Sequence, residues 1–243
     1  MIERKKCLSI LFLLLLIYAL TPVLNAESSL LEKKHIYNCG RYKYTLSDDG
    51  TCEIVYYWGT EDEIVIPETL DGLTVNAIGD KAFYQHTLLT HVTIPDSVTC
   101  IGQSAFEDSD NLISVIIPDS VTSIADMAFK NCDKLPALFI PGSVTYVGKA
   151  AFAYCSSLES AVLSDGVTEL DDYAFFGCYN LKKISIPDSV STIGKEVFLY
   201  RNYLQCTVTP GSCAESYCRE TGLNYVYCFP SEQSDNTGRD SIY

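Results

Sequence analysis

From residue 66 onward the hydrophobic positions of this chain recur in a fixed frame, longer than the periods of single helices or strands. The dipeptide Ile-Pro stands at Ile94-Pro95, Ile117-Pro118 and Ile140-Pro141, loosens to Leu163-Ser164 and returns at Ile186-Pro187, each step being 23 residues. Phe83, Phe106, Phe129, Phe152, Phe175 and Phe198 keep the same interval, the first five after an alanine (Ala82, Ala105, Ala128, Ala151, Ala174) and the last after Val197. An earlier copy begins at Ile66-Pro67 and carries five extra residues, 69–73, before Val75 and Ile78-Gly79. A fixed period of about 20–50 residues marks stacked units, none of which can bury its apolar side alone.

Residues 112–131 show what one unit predicts. Leu112-Ile113-Ser114-Val115-Ile116-Ile117 is a β-branched run that Pro118, lacking an amide hydrogen, brings to an end. Pro118 is expected at the second position of a type I turn, with Asp119 and Ser120 bonding back to nearby amides. Val121-Thr122-Ser123-Ile124 alternates as a second short strand, and residues 126–131 fit one helical turn with Phe129 inward. Three short elements make a three-sided coil, so the predicted fold is a repeat solenoid of short parallel strands and helical turns.

Both ends carry cap signals. Residues 42–46 and 51–57 flank Ser47-Asp48-Asp49-Gly50, which predicts a hairpin with Cys52 across from about Thr45. That register keeps Cys39 from facing Cys52. Ser212 and Glu215 form a capping box after Gly211, opening a short helix that Gly222 ends before a strand-like Tyr225-Val226-Tyr227. The organisation expected is therefore a leader over residues 1–26, an amino-terminal cap over 27–65, the solenoid over 66–203, a carboxy-terminal cap over 204–228 and a polar tail over 229–243.

The leader reads as a secretory signal peptide: Arg4, Lys5 and Lys6 precede an apolar run over residues 8–20, followed by Thr21-Pro22 and a small Ala26. That run is shorter than the ~20 residues of a spanning helix, and no other stretch reaches that length, so no transmembrane segment is expected in the mature chain. Cys7 leaves with the leader, and ten of the 11 cysteines remain. Export permits disulfides among Cys39, Cys52, Cys100, Cys206, Cys213, Cys218 and Cys228, with one or two bridges or ordinary core packing as the alternatives for the last four. The charge balance, 17 Lys+Arg against 31 Asp+Glu, gives a formal −14 that would repel a phosphate backbone or anionic lipid, so nucleic acid is not an expected partner. Three histidines, His35, His86 and His91, without paired metal-ligand spacing, and no Gly-x-Ser-x-Gly or phosphate loop, predict neither catalytic residues nor a cofactor.

The unit Leu-x-x-Ile-x-Ile-Pro-Asp-Ser-Val-Thr-x-Ile-Gly-x-x-Ala-Phe-x-x-Cys resembles the leucine-rich repeat of BspA-type bacterial surface proteins, also called the Treponema-type repeat. The resemblance runs over roughly residues 42–228. It takes in Asp49-Gly50-Thr51-Cys52-Glu53-Ile54 as the family's amino-terminal cap and Gly211-Ser212-Cys213-Ala214-Glu215 as its closing helix. It implies a leucine-rich repeat fold without catalytic residues, in secreted or surface-displayed proteins, some of them adhesins. Leu163-Ser164 in place of Ile-Pro, and Ala125 and Asp171 in place of glycine, depart from the pattern.

Strand phase gives the candidate site. With Val115 and Ile117 inward, Ser114 and Ile116 point out. The outward columns are then Val65, Thr93, Ile116, Phe139, Val162 and Ser185, and beside it Glu63, His91, Ser114, Ala137, Ser160 and Lys183. The first is apolar in its middle although it should face water, which marks an interaction surface, a dimer contact, or simply good strand formers. The candidate ligand-binding residues are Val65, His91, Thr93, Ser114, Ile116, Phe139, Val162, Lys183 and Ser185. Cys132, Cys155 and Cys178, three residues after their phenylalanines, read as buried apolar fillers before a metal ladder. Asp96, Asp119, Asp165 and Asp188 read as turn residues before calcium ligands, and the 17 tyrosines as structural before contact surface. The function expected is an adhesin-like module for an extracellular protein or glycan. The alternative is a structural, self-associating envelope protein, a homodimer included.

Overall fold

The computed structural model describes residues 34–198 and 203–228. The leader expected over residues 1–26 and the tail from residue 229 lie outside them. The body opens with antiparallel β1 (Tyr37–Cys39), β2 (Tyr42–Leu46) and β3 (Cys52–Tyr57). The Ser47 amide donates to the Thr51 carbonyl at 3.0 Å, drawing both residues into the hairpin. The register therefore sets Cys52 against Leu46, one residue from the expected Thr45, which pairs with Glu53.

The coils follow. Elements in chain order are β4 (Glu63–Val65), a small hairpin β5 (Thr69–Leu70) and β6 (Leu73–Ile78), β7 (His91–Thr93), β8 (Cys100–Ile101), β9 (Ser114–Ile116) and β10 (Ser123–Ile124). They continue with β11 (Ala137–Ile140), β12 (Tyr146–Val147), β13 (Ser160–Leu163), β14 (Glu169–Leu170), β15 (Lys183–Ser185), β16 (Thr192–Ile193) and β17 (Gln205–Val208). Helix α1 (Cys213–Thr221) and β18 (Asn224–Tyr227) close the end. Residues 69–73, the insertion in the first copy, form most of the β5–β6 turn, with Asp71 and Gly72 at positive φ. One side of the solenoid is a 10-stranded sheet ordered β1-β2-β3-β6-β8-β10-β12-β14-β16, with β5 paired to β6. The second side is split into β4-β7-β9 and β11-β13-β15-β17-β18.

On the third side the expected helical turn is absent. Met127 and Asn131 have φ of 56° and 59°, and the same pair of left-handed residues recurs at Ser104 and Asp108 and at Ala150 and Tyr154. Amides 128, 130 and 132 bond three residues back within the coil, while amides 127, 129 and 131 donate to Lys149, Ala151 and Ala153 of the next coil. A helical turn would spend every amide inside its own coil. The left-handed residues, unfavourable for L-side chains, free every second one to tie coils together.

The strand-ending turn differs as well. Val121 N donates to Pro118 O, so the proline opens the turn at its first position, not its second. The Ser120 hydroxyl donates to Val98 O in the coil before, at 2.7 Å, and Ser189 does the same to Val167 O at 2.8 Å. Where Ser164 replaces proline, its amide donates to Ile140 O, and β11 and β13 gain a fourth residue, Ile140 pairing with Leu163.

One core fills the interior. Phe83, Phe106, Phe129, Phe152 and Phe175 are fully buried and stack with centroids 4.9, 5.1, 5.2 and 5.4 Å apart. Offset stacking of this kind adds about 0.5–1.5 kcal/mol per pair beyond burial. Tyr57 extends the column at the front, 5.2 Å from Phe83, and Phe198 at the back, 5.8 Å from Phe175. At the closing end the Ser212 hydroxyl accepts the Glu215 amide at 3.2 Å. The Glu215 carboxylate reaches Gly211 N at 2.6 Å, and Gly222 ends the helix in the left-handed region. Among the described residues no helix is long and apolar enough to cross a membrane.

Candidate interaction surface

Parallel ladders place equivalent residues of successive coils side by side, so a column in the sequence becomes a row on the surface. On the split side, Glu63 pairs with His91 and His91 with Ser114, while Val65 pairs with Thr93 and Thr93 with Ile116. In the second ladder Ala137, Ser160 and Lys183 are in register, as are Phe139, Val162 and Ser185. All nine candidate residues thus share one face. Val65 is 72% exposed, Ile116 57%, Phe139 58% and Val162 45%; His91 and Lys183 are exposed, and Thr93, Ser114 and Ser185 half-buried. Between them Val92, Leu138, Ala161 and Ile184 point inward and are buried, which fixes the phase of the face.

The face is broken between β9 and β11, and the break has a covalent cause. At the foot of each strand an amide normally donates one coil back: Ile113 to Thr90, Glu159 to Pro136, Lys182 to Glu159 and Gln205 to Lys182. Pro136 occupies this position in its own coil and has no hydrogen to give. Ile113, 41% exposed, and the exposed Pro136 also widen the apolar strip beside Ile116 and Phe139. Neither was singled out from the sequence. The 23-residue column Thr90, Ile113, Pro136, Glu159, Lys182 contains the signal, since a proline at a ladder position predicts a missing bond.

The cysteine column is a column of donors. Cys132, Cys155 and Cys178 are buried, and their thiols donate to Phe106 O, Phe129 O and Phe152 O at 3.3, 3.3 and 3.1 Å. Ser109, 23 residues before Cys132, makes the same bond to Phe83 O at 3.1 Å. Burial pushes the Cys132 thiol well above its ordinary range. The described cysteines are all free thiols, Cys206 and Cys218 being buried beside each other between β17 and α1. Among the described residues no group of three His, Cys, Asp or Glu side chains is placed to hold a metal ion. Several tyrosines tie carboxylates to the core: Tyr44 donates to Asp71 and Tyr146 to Asp171, both at 2.8 Å, and Tyr57 to Glu61 and Tyr227 to Glu215, both at 2.7 Å.

Known proteins share this architecture. A leucine rich cell surface protein of Faecalibacterium prausnitzii is 32% identical over 73% of this chain, with a TM-score of 0.57, and the chain spans 55% of that protein. The Treponema pallidum leucine rich repeat protein is 27% identical over 79% of this chain and 98% of its own, with a TM-score of 0.58. The pneumococcal vaccine antigen PcpA, 23% identical over 73% of this chain and 51% of its own, shares the fold at a TM-score of 0.62. No curated protein sequence matches. Residues 76–205 match six copies of the BspA type leucine rich repeat region, more than half of the sequence, and the chain belongs to that family of bacterial leucine-rich repeat proteins.

Proposed function

We propose that the protein is a secreted or surface-displayed binding module that engages an extracellular protein or glycan, in the manner of an adhesin, through its split strand face. The observation that carries this reading is the strip of Ile113, Ile116, Pro136, Phe139 and Val162, apolar and exposed across three consecutive coils. Soluble monomers seldom leave such strips to water without a use for them. Phe139 is the largest side chain in it and the natural anchor, while His91 and Lys183 supply a polar rim. The acidic balance of the chain disfavours phosphate-rich partners. The description of the F. prausnitzii protein as a cell surface protein supports the placement.

The test is a binding screen of the purified protein and its Ile116→Asp/Phe139→Asp variant against matrix proteins, plasma glycoproteins and glycan arrays, with light scattering on both. Binding that is selective and lost in the folded variant supports the reading. A wild-type dimer that the variant converts to monomer, with no heterologous binding, replaces it with a self-associating structural protein.

A further inference from the structure

The front end of the solenoid is stepped. On the 10-stranded side the sheet runs three strands past the first full coil, through β3, β2 and β1. On the split side it stops at β4. The hairpin wall therefore stands beyond the last strand opposite it, and the notch between them is lined by Arg41, Tyr42, Tyr57, Glu63, Val65 and Pro67.

The β4 edge is chemically open. Toward β7, Asp62 O accepts the amides of Thr90 and His91 at 2.6 and 3.1 Å, and Ile66 N donates to Thr93 O at 3.0 Å. In a parallel ladder alternate residues direct both their N–H and C=O to the same side. Residues 62, 64 and 66 thus face β7, and the backbone groups of Glu63 and Val65 face the notch, where no described residue bonds to them. An exposed edge with an apolar side chain is a template for another strand, and natural folds commonly blunt or cover it. Here Pro67 limits its length, but Val65 is the most exposed residue of the apolar column. The notch is also acidic: Glu61 and Glu63 line it, Arg41 is engaged by Glu61, and among the described residues Glu63 has only an exposed contact with His91 at 3.4 Å.

We propose that the free edge of β4 is a strand-addition site for an extended segment of a protein partner, parallel to β4 and carrying a basic residue where it passes Glu63. Such a segment supplies the strand that the hairpin coil lacks opposite β3. Its outward side chains continue the row of Val65, and its inward ones meet Tyr42 and Tyr57. Main-chain bonds give affinity in this mode and side-chain pockets give selectivity. The site uses the main-chain N–H and C=O groups of Glu63 and Val65 at the end of the face, not the side chains of the Phe139 strip.

The probe is a fluorescently labelled peptide with the sequence of residues 181–187, Leu-Lys-Lys-Ile-Ser-Ile-Pro, which already forms a parallel strand in this fold. Saturable binding to the full chain is expected, with Val65→Pro weakening it by about tenfold or more, because the substitution removes an edge donor without touching the β7 ladder. Val65→Thr keeps the donor and stays within about threefold, a change near half the free energy of a tenfold one. A Glu-for-Lys version of the peptide binds more weakly to the wild type and recovers on Glu63→Lys. Should Val65→Pro fail to fold, hydrogen exchange on the wild type decides: saturation with peptide slows the Glu63 and Val65 amides by about tenfold or more. No peptide binding, unchanged binding in a folded Val65→Pro, unprotected amides, or a wild-type dimer dissolved by Val65→Pro in place of peptide affinity each overturns the proposal.

Discussion

Pro136 leaves the carbonyl of Ile113 without the amide donor that the equivalent residue of other coils supplies, and the strand face parts at that point into two ladders. Restoring a hydrogen at position 136 should rejoin them. Glu159 fills the position one coil later and donates normally, so Pro136→Glu is the substitution of choice. The new bond contributes about 0.5–1.5 kcal/mol, while losing a proline frees the unfolded chain by about 0.4–1 kcal/mol. The two nearly cancel, and midpoint denaturation should move little. Hydrogen exchange separates them: the amide introduced at 136 should be as protected as that of Glu159, and one exchanging at the rate of an open loop would show that the break has another cause.

Gly142 and Gly166 are held by each other's coil. A Cβ on Gly142 would stand 1.9 Å from Asp165 O, and one on Gly166, at φ 112°, would stand 2.1 Å from Gly142 O. Gly211, also at positive φ, has open space around it. Alanine at 211 should cost only the left-handed penalty of about 1–2 kcal/mol. Alanine at 142, which is not left-handed, costs instead the backbone shift forced by the Asp165 carbonyl, about 1–3 kcal/mol, and at 166 both effects combine. Urea unfolding of the three variants should rank 211 as mildest and 166 as most severe. Equal effects at all three would mean that the coils can slide apart to admit a methyl group.

These two sites show which parts of the fold were legible in the sequence. The period, the two strand sides, the buried phenylalanines and the capping box followed from spacing, because a solenoid contacts only its neighbours and each coil repeats the same problem. The outward phase of Ile116 and Phe139 followed from strict alternation. What resisted was anything decided between coils. The left-handed residues at 127 and 131 are Met and Asn, and only the need to send alternate amides outward selects that backbone. Ser164 reads as a departure from the repeat, yet it lengthens two strands, and Gly142 admits a neighbouring carbonyl that no spacing announces. Of the candidate surface, the rows could be written from the sequence, and the break at Pro136 could have been, since a proline stands in the 23-residue column that donates one coil back; the open edge at Val65 could not, because it concerns a strand that is missing beside β4.

The thiol of Cys155 can be tested as a donor rather than a filler. If the column needs only small apolar bulk, Cys155→Ala should be better tolerated than Cys155→Ser. If it needs the bond to Phe129 O, the order reverses, since Ser109 makes the equivalent bond with a hydroxyl. We expect serine to be the more stable by about 1 kcal/mol, the net worth of one hydrogen bond. Thermal unfolding of the two variants decides, and alanine ranking above serine returns the column to simple packing.

Glu215 gives the closing cap its dependence on pH. Its carboxylate accepts the Tyr227 hydroxyl at 2.7 Å and the Gly211 amide at 2.6 Å and pairs with Arg219. The tyrosine bond first and the glycine amide second hold its acid below the ordinary glutamate range. A carboxyl with a depressed value in the folded state stabilises that state above its unfolded value, near 4.3, and the contribution fades as pH falls from there toward the folded value. Glu215→Gln keeps an acceptor for Gly211 but cannot titrate. The variant should be less stable than wild type at pH 7, and its stability should fall less steeply below about pH 4.5, by up to about one proton in the slope. The two curves should therefore converge as pH falls below the unfolded value, which urea unfolding at stepped pH reads directly. Because α1 and β18 close only the last coil, the loss should be seen first as faster exchange in the amides of β18, with the stacked phenylalanine coils still protected. Parallel curves from pH 7 to 3 would assign the acid sensitivity of this end to some other carboxylate.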